Sequence, residues 1–383
     1  METNKIHLGS ALEVLRTFEG ESVDCAITSP PYYGLRSYGT EGQVWGGKKD
    51  CEHEFGNEKS KPINLQAGNP EFKREWREQA TDRKATSGSF CLHCNAWKGE
   101  LGLEPTFGLY LEHLWMIFDE IKRVLKKTGT CFVNLGDSYG GSGNASGHTE
   151  ETKNLSYKTS NMGATKGHTQ GLMPKSLLQI PSRFSIGMTD RGWILRNSII
   201  WYKRNCMPSS AKDRFTVDYE MMFFFTKSTK YYFEQQFEPY KLESVKRERR
   251  GHNGGKWGVD NPLPDGVHTP TMCKKREFVG YNGVEEEYEN REGRNKRCVW
   301  DITPKGYREA HFAVFPPELV ETPIKAGCPE NGIVLDPFFG SGTTGEVALK
   351  LGRRFIGVEL NEKYIKLAEK RLEKAGQLFS EVS

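Results

Sequence analysis

The sequence predicts an α/β fold organised around a doubly wound, mostly parallel sheet. Three observations carry that reading: apolar runs of strand length, helical patterns set between them, and a strand that enters a glycine turn and a helix near the C-terminus. The runs Val23–Ile27, Thr130–Leu135, Trp193–Trp201, Tyr219–Phe225, Gly332–Leu335 and Arg354–Leu360 read as buried strands. Leu114, Ile117, Phe118, Ile121, Val124 and Leu125 recur at helical spacing, with Gly129 as the expected stop. Tyr364, Ile365, Ala368 and Leu372 mark one side of the last helix. Strands alternating with helices favour a parallel sheet over a mixed α+β arrangement.

The chain has 383 residues, long enough for a large buried core. Hydrophobic residues make up 36% and charged residues 27%, a globular composition. The densest apolar stretch, Met221–Phe225, falls far short of the roughly 20 residues that a membrane span requires. No basic-then-apolar leader opens the sequence, which places the protein in the cytoplasm as an expectation. Nine cysteines without a leader favour reduced thiols or a metal site over disulfides. A net charge of +4 permits an anionic partner without demanding one.

Three segments interrupt the strand–helix rhythm. Residues 45–98 are polar and hold four potential metal ligands. Residues 140–172 are dominated by Gly, Ser, Thr and Asn without periodicity. Residues 241–297 carry 13 basic and 10 acidic side chains. The expected division is therefore a catalytic domain of residues 1–44, 99–240 and 298–383, a Cys/His insert at 45–98, and a basic insert at 241–297.

The glycine turn runs Asp336-Pro337-Phe338-Phe339-Gly340-Ser341-Gly342-Thr343-Thr344. Strand, glycine turn and helix form a nucleotide-type cofactor site, because glycine lets a ligand approach the backbone. Glu359, 23 residues beyond Asp336, ends the next strand, where an acid grips ribose hydroxyls. The lysine of a phosphate-binding loop is missing. Asp336 would repel a pyrophosphate and favour a ligand carrying an ammonium and a sulfonium. S-adenosylmethionine is such a ligand, with Phe338 and Phe339 placed to pack on it.

A second loop follows the first strand: Thr28-Ser29-Pro30-Pro31-Tyr32-Tyr33-Gly34. Two prolines stop the strand and stiffen the loop, since each fixes φ and lacks an N–H. Tyr32 or Tyr33 offers a flat face to a planar base. Ligands of open parallel sheets bind beyond the carboxyl ends of the strands, so the two loops can meet across one crevice.

Ser29-Pro30-Pro31-Tyr32 and the later Asp336-to-Gly342 run together resemble the beta class of amino-group DNA methyltransferases, in which the catalytic motif precedes the cofactor motif. Asn134–Tyr139, Ile200–Lys203 and His311–Pro316 extend the similarity over most of the chain. The resemblance implies an AdoMet-dependent methyltransferase sheet with permuted motif order. It also implies a cofactor site at Asp336, Pro337, Phe338, Gly340, Gly342, Thr343 and Glu359, and a catalytic site at Ser29, Pro30, Pro31 and Tyr32. The implied partners are double-stranded DNA, whose target base is flipped out, and a restriction endonuclease. Ser29 before Pro-Pro-Tyr resembles the cytosine-N4 enzymes. Adenine-N6 methylation and a catalytically silent DNA-binding protein of the same fold are the alternatives. Residues 241–297 then look like the target-recognition region, with Arg247, Arg249 and Arg250 holding phosphates or reading guanines.

Cys51-Glu52-His53 and Cys91-Leu92-His93-Cys94 supply the ligands of a tetrahedral structural zinc site, Cys51, His53, Cys91 and Cys94. An insert this polar has little core of its own, and a metal would staple it. Ordinary reduced cysteines are the alternative. The expectation is that loss of Cys91 and Cys94 loosens the insert without reaching the cofactor pocket.

Overall fold

A computed structural model describes residues 2–35, 37–55, 88–140, 172–173, 175–239, 293–304 and 316–380. The described chain forms two compact units, Met1–Glu234 with Cys298–Ser383, and Gln235–Arg297. In the smaller unit, β9 (Phe237–Glu238) pairs antiparallel with β10 (Arg294–Asn295). There the Glu238 carboxylate accepts from Arg294 and Arg297. Arg247, Arg249 and Arg250 lie outside the described residues, as do most of the 140–172 loop and His311–Phe315.

The larger unit is built on β1 (Lys5–Leu8), β2 (Val23–Thr28), β6 (Leu125–Leu135), β7 (Ile194–Tyr202), β8 (Tyr219–Thr226), β11 (Val299–Asp301), β12 (Ile333–Asp336) and β13 (Arg354–Glu359). They form one eight-stranded sheet in the order β1-β13-β12-β2-β6-β8-β7-β11. Only β8 runs antiparallel to its neighbours; the other pairings are parallel. All six predicted runs are strands of this sheet.

Their apolar continuity has a simple cause. Side chains alternate between the two faces of a strand, and both faces are covered. Phe223 and Phe225 of β8 join one core with Val133 and Leu135. Met222 and Phe224 join the other with Phe132. Helices α1 (Ala11–Thr17), α2 (Phe107–Val124) and α3 (Ile180–Asp190) pack on the first core. Helices α4 (Pro317–Gly327), α5 (Thr343–Lys350) and α6 (Glu362–Ser380) serve the second.

Helix α2 ends earlier than its spacing predicts. Thr106 caps its start by accepting from the Leu109 N–H, and the chain leaves the helix at Leu125. Leu125 already pairs with Val23, and the register with β2 then slips before Thr130 meets Cys25. Gly129 sits in that irregularity, inside β6, and stops no helix. Strand pairing outweighs a helical pattern that could run one turn further.

From β12 the chain crosses through α5 to β13; from β2 it crosses through α2 to β6 on the other side. The adjacent β12 and β2 therefore diverge at their carboxyl ends, where open α/β sheets bind ligands. A separate three-stranded antiparallel sheet, β3 (Gln43–Trp45), β5 (Trp97–Gly99) and β4 (Gly88–Phe90), packs Trp45, Phe90 and Trp97 into the first core. Among the described residues, no helix is long and apolar enough to cross a membrane.

Candidate active site

A buried carboxylate organises the glycine turn. Asp336 is 1% exposed. Its Oδ1 accepts from the Thr28 hydroxyl at 2.7 Å and the Phe338 N–H at 3.0 Å, and its Oδ2 accepts from the Thr344 hydroxyl at 2.6 Å. One side chain thus ties the end of β12 to the end of β2 and to the first turn of α5. Burial pushes its pKa up to about 6, against the pull of those hydrogen bonds.

That shift has a definite sign. The folded state holds the proton more tightly than the unfolded chain, whose carboxyl titrates near 3.8. This group's contribution to stability is fully present below 3.8 and is lost as pH rises through about 6. The loss amounts to about 3 kcal/mol at 1.36 kcal/mol per unit. Thermal denaturation across pH 4–7 is expected to show this decline in the wild type and to lack it in Asp336→Asn. Equal slopes in the two proteins would contradict it.

Gly342 caps α5 with φ +81°, and a Cβ there would come within 2.9 Å of Ala368. Only glycine satisfies both the left-handed turn and the close packing of α6. Glu359, at the end of β13, accepts the Gly340 and Asn361 N–H groups, each at 2.8 Å. Burial raises its pKa while those two donors oppose the rise. Both phenylalanines expected beside a ligand line the cavity, but Phe339 is buried, its ring stacked on Phe355 at 5.4 Å. Phe338 remains half-buried at the cavity.

The Ser-Pro-Pro-Tyr loop is held by its carbonyls. Tyr110 Oη donates to the Pro31 carbonyl and Ser138 Oγ to the Tyr33 carbonyl, both at 2.7 Å, and the Gly34 N–H donates to Gly102. The Pro30 carbonyl accepts from none of the described residues, which leaves it for a ligand. Tyr33 is buried against Tyr110, so Tyr32 is the aromatic that faces the cavity.

One cavity joins the two loops. Ser29, Pro30, Pro31 and Tyr32 line one side, and Pro337, Phe338, Gly340, Thr343 and Glu359 the other. Asp336 and Gly342 stand behind this wall and shape it. A more open hollow by Asp24, Thr128, Tyr231 and Pro329 lies at the other end of the strands, by the amino ends of β2 and β6, away from both motifs.

Three further side chains meet the Ser-Pro-Pro-Tyr side of the cavity. Tyr32 Oη lies 2.7 Å from Glu220 Oε2 and 2.9 Å from Asn134 Oδ1, and Ser29 Oγ lies 3.3 Å from Asn134 Oδ1. Asn134 Nδ2 donates to Glu220, which is ion-paired with Lys203. Burial and the Glu220 charge push the Tyr32 pKa well above its usual value, so the phenol stays protonated and donates. Sequence reasoning assigned no role to Glu220 or Lys203. They meet through the β7–β8 register, which sets Trp201 opposite Glu220.

The four Cys/His ligands also converge. Their donor atoms lie within 4.8 Å of one another. Cys51 Sγ and Cys91 Sγ are 3.8 Å apart, and Cys94 Sγ is 3.3 Å from His53 Nδ1. Sulfurs at about 2.3 Å from a tetrahedral zinc are separated by about 3.8 Å, so the donor set fits that ion. Trp45, the first residue of this insert, lines the same cavity as Ser29 and Gly340, with Gln43 just before the insert and Glu100 and Leu101 just after it.

The sheet order, the two loops at its switch point and their shared cavity define a DNA-methylase architecture, and comparison with known proteins agrees. The family described as DNA methylase, covering N6 and N4 amino-group enzymes, matches residues 23–370, and the chain belongs to it. It is 32% identical to the Type II methyltransferase M.SmaI of Serratia marcescens over 96% of this chain and 90% of that protein. Identity to M.Cfr9I of Citrobacter freundii is 33%, over 95% and 86%. The solved PvuII DNA methyltransferase, described as cytosine-N4-specific, shares the fold with a TM-score of 0.51 at 15% identity, covering 99% of this chain and 92% of that one.

Proposed function

We propose that this DNA methyltransferase moves a methyl group from S-adenosylmethionine to the exocyclic N4 of cytosine in double-stranded DNA. The observation that carries the reading is one cavity holding Ser29 and the Pro30 carbonyl, which has no donor among the described residues, together with the acid-framed glycine turn. The cofactor side fits a cationic nucleoside: Glu359 faces it, Phe338 offers a ring, and no lysine of a phosphate loop is present. Pro337, Gly340 and Thr343 supply the remaining wall, and Asp336 and Gly342 hold its shape. Bound there, S-adenosylmethionine supplies an electrophilic methyl on a sulfonium leaving group.

The protein's own work is positioning. The lone pair of an exocyclic amine is delocalised into its ring, so the amine must be held with its hydrogens on acceptors and its nitrogen pyramidal. Ser29 Oγ and the Pro30 carbonyl are those acceptors. Asn134 fixes the Ser29 hydroxyl, and Glu220 fixes Tyr32, on which the base stacks. As the nitrogen forms its new C–N bond, the methyl–sulfur bond breaks and the proton leaves the amine to water; Ser29 Oγ and the Pro30 carbonyl orient that N–H and do not keep the proton. Most of the acceleration comes from alignment. A base inside a duplex cannot enter the cavity, so the target is flipped out, at a cost of a few kcal/mol recovered from pocket and phosphate contacts.

Residues 241–297 serve as the target-recognition region, with Arg247, Arg249 and Arg250 at the DNA. A structural zinc closes Cys51, His53, Cys91 and Cys94. A restriction endonuclease of the same specificity and a cytoplasmic location complete the reading. Nucleoside mass spectrometry of DNA methylated by the protein is expected to find N4-methylcytosine. N6-methyladenine as the sole product would refute the base assignment, and no methylated base would favour the silent DNA-binding alternative.

A further inference from the structure

Part of the cavity wall comes from strand β3, at the start of the Cys/His module. Gln43 and Trp45 of β3 line the cavity; β3 pairs with β5, Gln43 to Gly99 and Trp45 to Trp97, and Gln43 Oε1 also accepts from the Ser10 hydroxyl at 3.1 Å. Trp45 also donates from Nε1 to the Gly99 carbonyl at 3.1 Å. The turn leaving β3 then runs into the ligand cluster. A Cβ at Gly47, whose φ is +77°, would fall 2.7 Å from Cys94 Sγ and 2.6 Å from Ala96 Cβ. Backbone and ligand sulfur are therefore in direct contact two residues after Trp45. On the other side, the Cys91 N–H donates to the Ala96 carbonyl and closes the hairpin that carries Trp97 into β5.

The same sheet clamps a buried polar pair. His113 of α2 lies between Trp45 and Trp97, stacked on them at 4.9 and 5.5 Å. Its Nδ1 is 2.9 Å from Glu104 Oε1, and Glu104 Oε2 accepts the Gly102 N–H. Glu104 is buried and its pKa is raised by that burial, with His113 opposing the rise. Gly102 in turn holds the Gly34 N–H at the foot of the Ser-Pro-Pro-Tyr loop. The tryptophans hold the histidine, and through Glu104 the histidine holds the segment that anchors the catalytic loop.

We infer that zinc on Cys51, His53, Cys91 and Cys94 sets the affinity of the cofactor pocket by fixing β3 and β5, which carry Gln43 and Trp45 to its wall. The inference rests on the cofactor reading above and adds an energetic link between two sites that share no ligand. Without the metal, the segment between the Trp45–Trp97 pair and the Phe55–Cys91 bridge keeps its two ends on the hairpin, while the Gly46–Gly47 turn packed on Cys94 and the four ligand side chains lose the ion that would join them. Coupled sites typically differ 5–150-fold in affinity, and coupling is reciprocal. Cofactor binding must then tighten the metal by the same factor.

The test uses the full chain as purified. Elemental analysis is expected to find about one zinc per chain. Removing zinc with a chelator should weaken binding of labelled S-adenosylmethionine about tenfold or more in equilibrium dialysis, and added zinc should restore it. Saturating S-adenosylmethionine should slow zinc release to a colorimetric chelator, a readout that needs no activity. Cys91→Ser with Cys94→Ser should reproduce the weakened binding. Should that pair fail to fold, chelation and reconstitution of the wild type decide the matter alone. Protein prepared with zinc present yet holding none would overturn the metal site. One equivalent of zinc with unchanged cofactor affinity after its removal would overturn the link. Zinc-loaded protein that binds no S-adenosylmethionine would overturn the cofactor reading, and the link with it.

Discussion

Asp336→Ala is expected to weaken S-adenosylmethionine binding about 100-fold while the protein stays folded. The substitution removes the acceptor shared by Thr28, Thr344 and the Phe338 N–H. A buried donor left without a partner costs about 1–3 kcal/mol. The two hydroxyls can rotate to other partners. The Phe338 N–H cannot, and it moves only if the turn moves, taking Pro337, Phe338 and Gly340 with it. One buried N–H left unpaired, at the upper end of that range, is enough for the expected loss, since each 1.4 kcal/mol is tenfold. Asp336→Asn separates shape from charge: its carbonyl keeps the Phe338 N–H, and it should recover much of the affinity. Calorimetry finding full affinity in the alanine protein would remove the glycine turn from the cofactor site.

The parts of the fold that could be read from sequence are those whose burial is written in consecutive residues. Val23–Ile27 and Tyr219–Phe225 are apolar because both faces of their strands are covered, and no neighbour is needed to see it. β1 could not be read in this way. Its four residues Lys-Ile-His-Leu are half-exposed at the sheet edge, and they pair with β13, 351 residues away. The antiparallel course of β8 was equally hidden, since an apolar run carries no direction. The three-stranded sheet of the Cys/His module has strands of three residues each, set in a segment read as polar.

The candidate site divides along the same line. Ser29–Tyr32 and Asp336–Gly342 are contiguous motifs and were visible. Trp45, Glu220 and Lys203 reach the cavity singly, each on a different element, and a lone acid at the start of a strand has no local signature. Asp336 shows a subtler limit. Its position was legible and its work was not, because a carboxylate aimed at a ligand and one bonded behind the wall occupy the same place in a sequence.

Glu220→Ala is expected to lower kcat about 100-fold with S-adenosylmethionine affinity unchanged. Glu220 touches neither the glycine turn nor Glu359; its bonds go to Tyr32, Asn134 and Lys203. Without it, Lys203 loses its carboxylate partner, the Asn134 amide is left with the Met221 carbonyl alone, and the Tyr32 hydroxyl loses the shorter of its two acceptors. Asn134 also fixes Ser29, so both the stacking ring and the amine acceptor lose their reference. Misplacement of a positioned group by about 1 Å costs about 100-fold in rate. Glu220→Gln keeps an oxygen for the Tyr32 hydroxyl and gives up only the charge, so it should fall between the alanine protein and the wild type. A positional role predicts that order in kcat, with the alanine protein's loss undiminished at saturating DNA. If both variants turn over at the wild-type rate, the Tyr32–Asn134–Glu220 network does not orient the base, and Ser29 and the Pro30 carbonyl act without it.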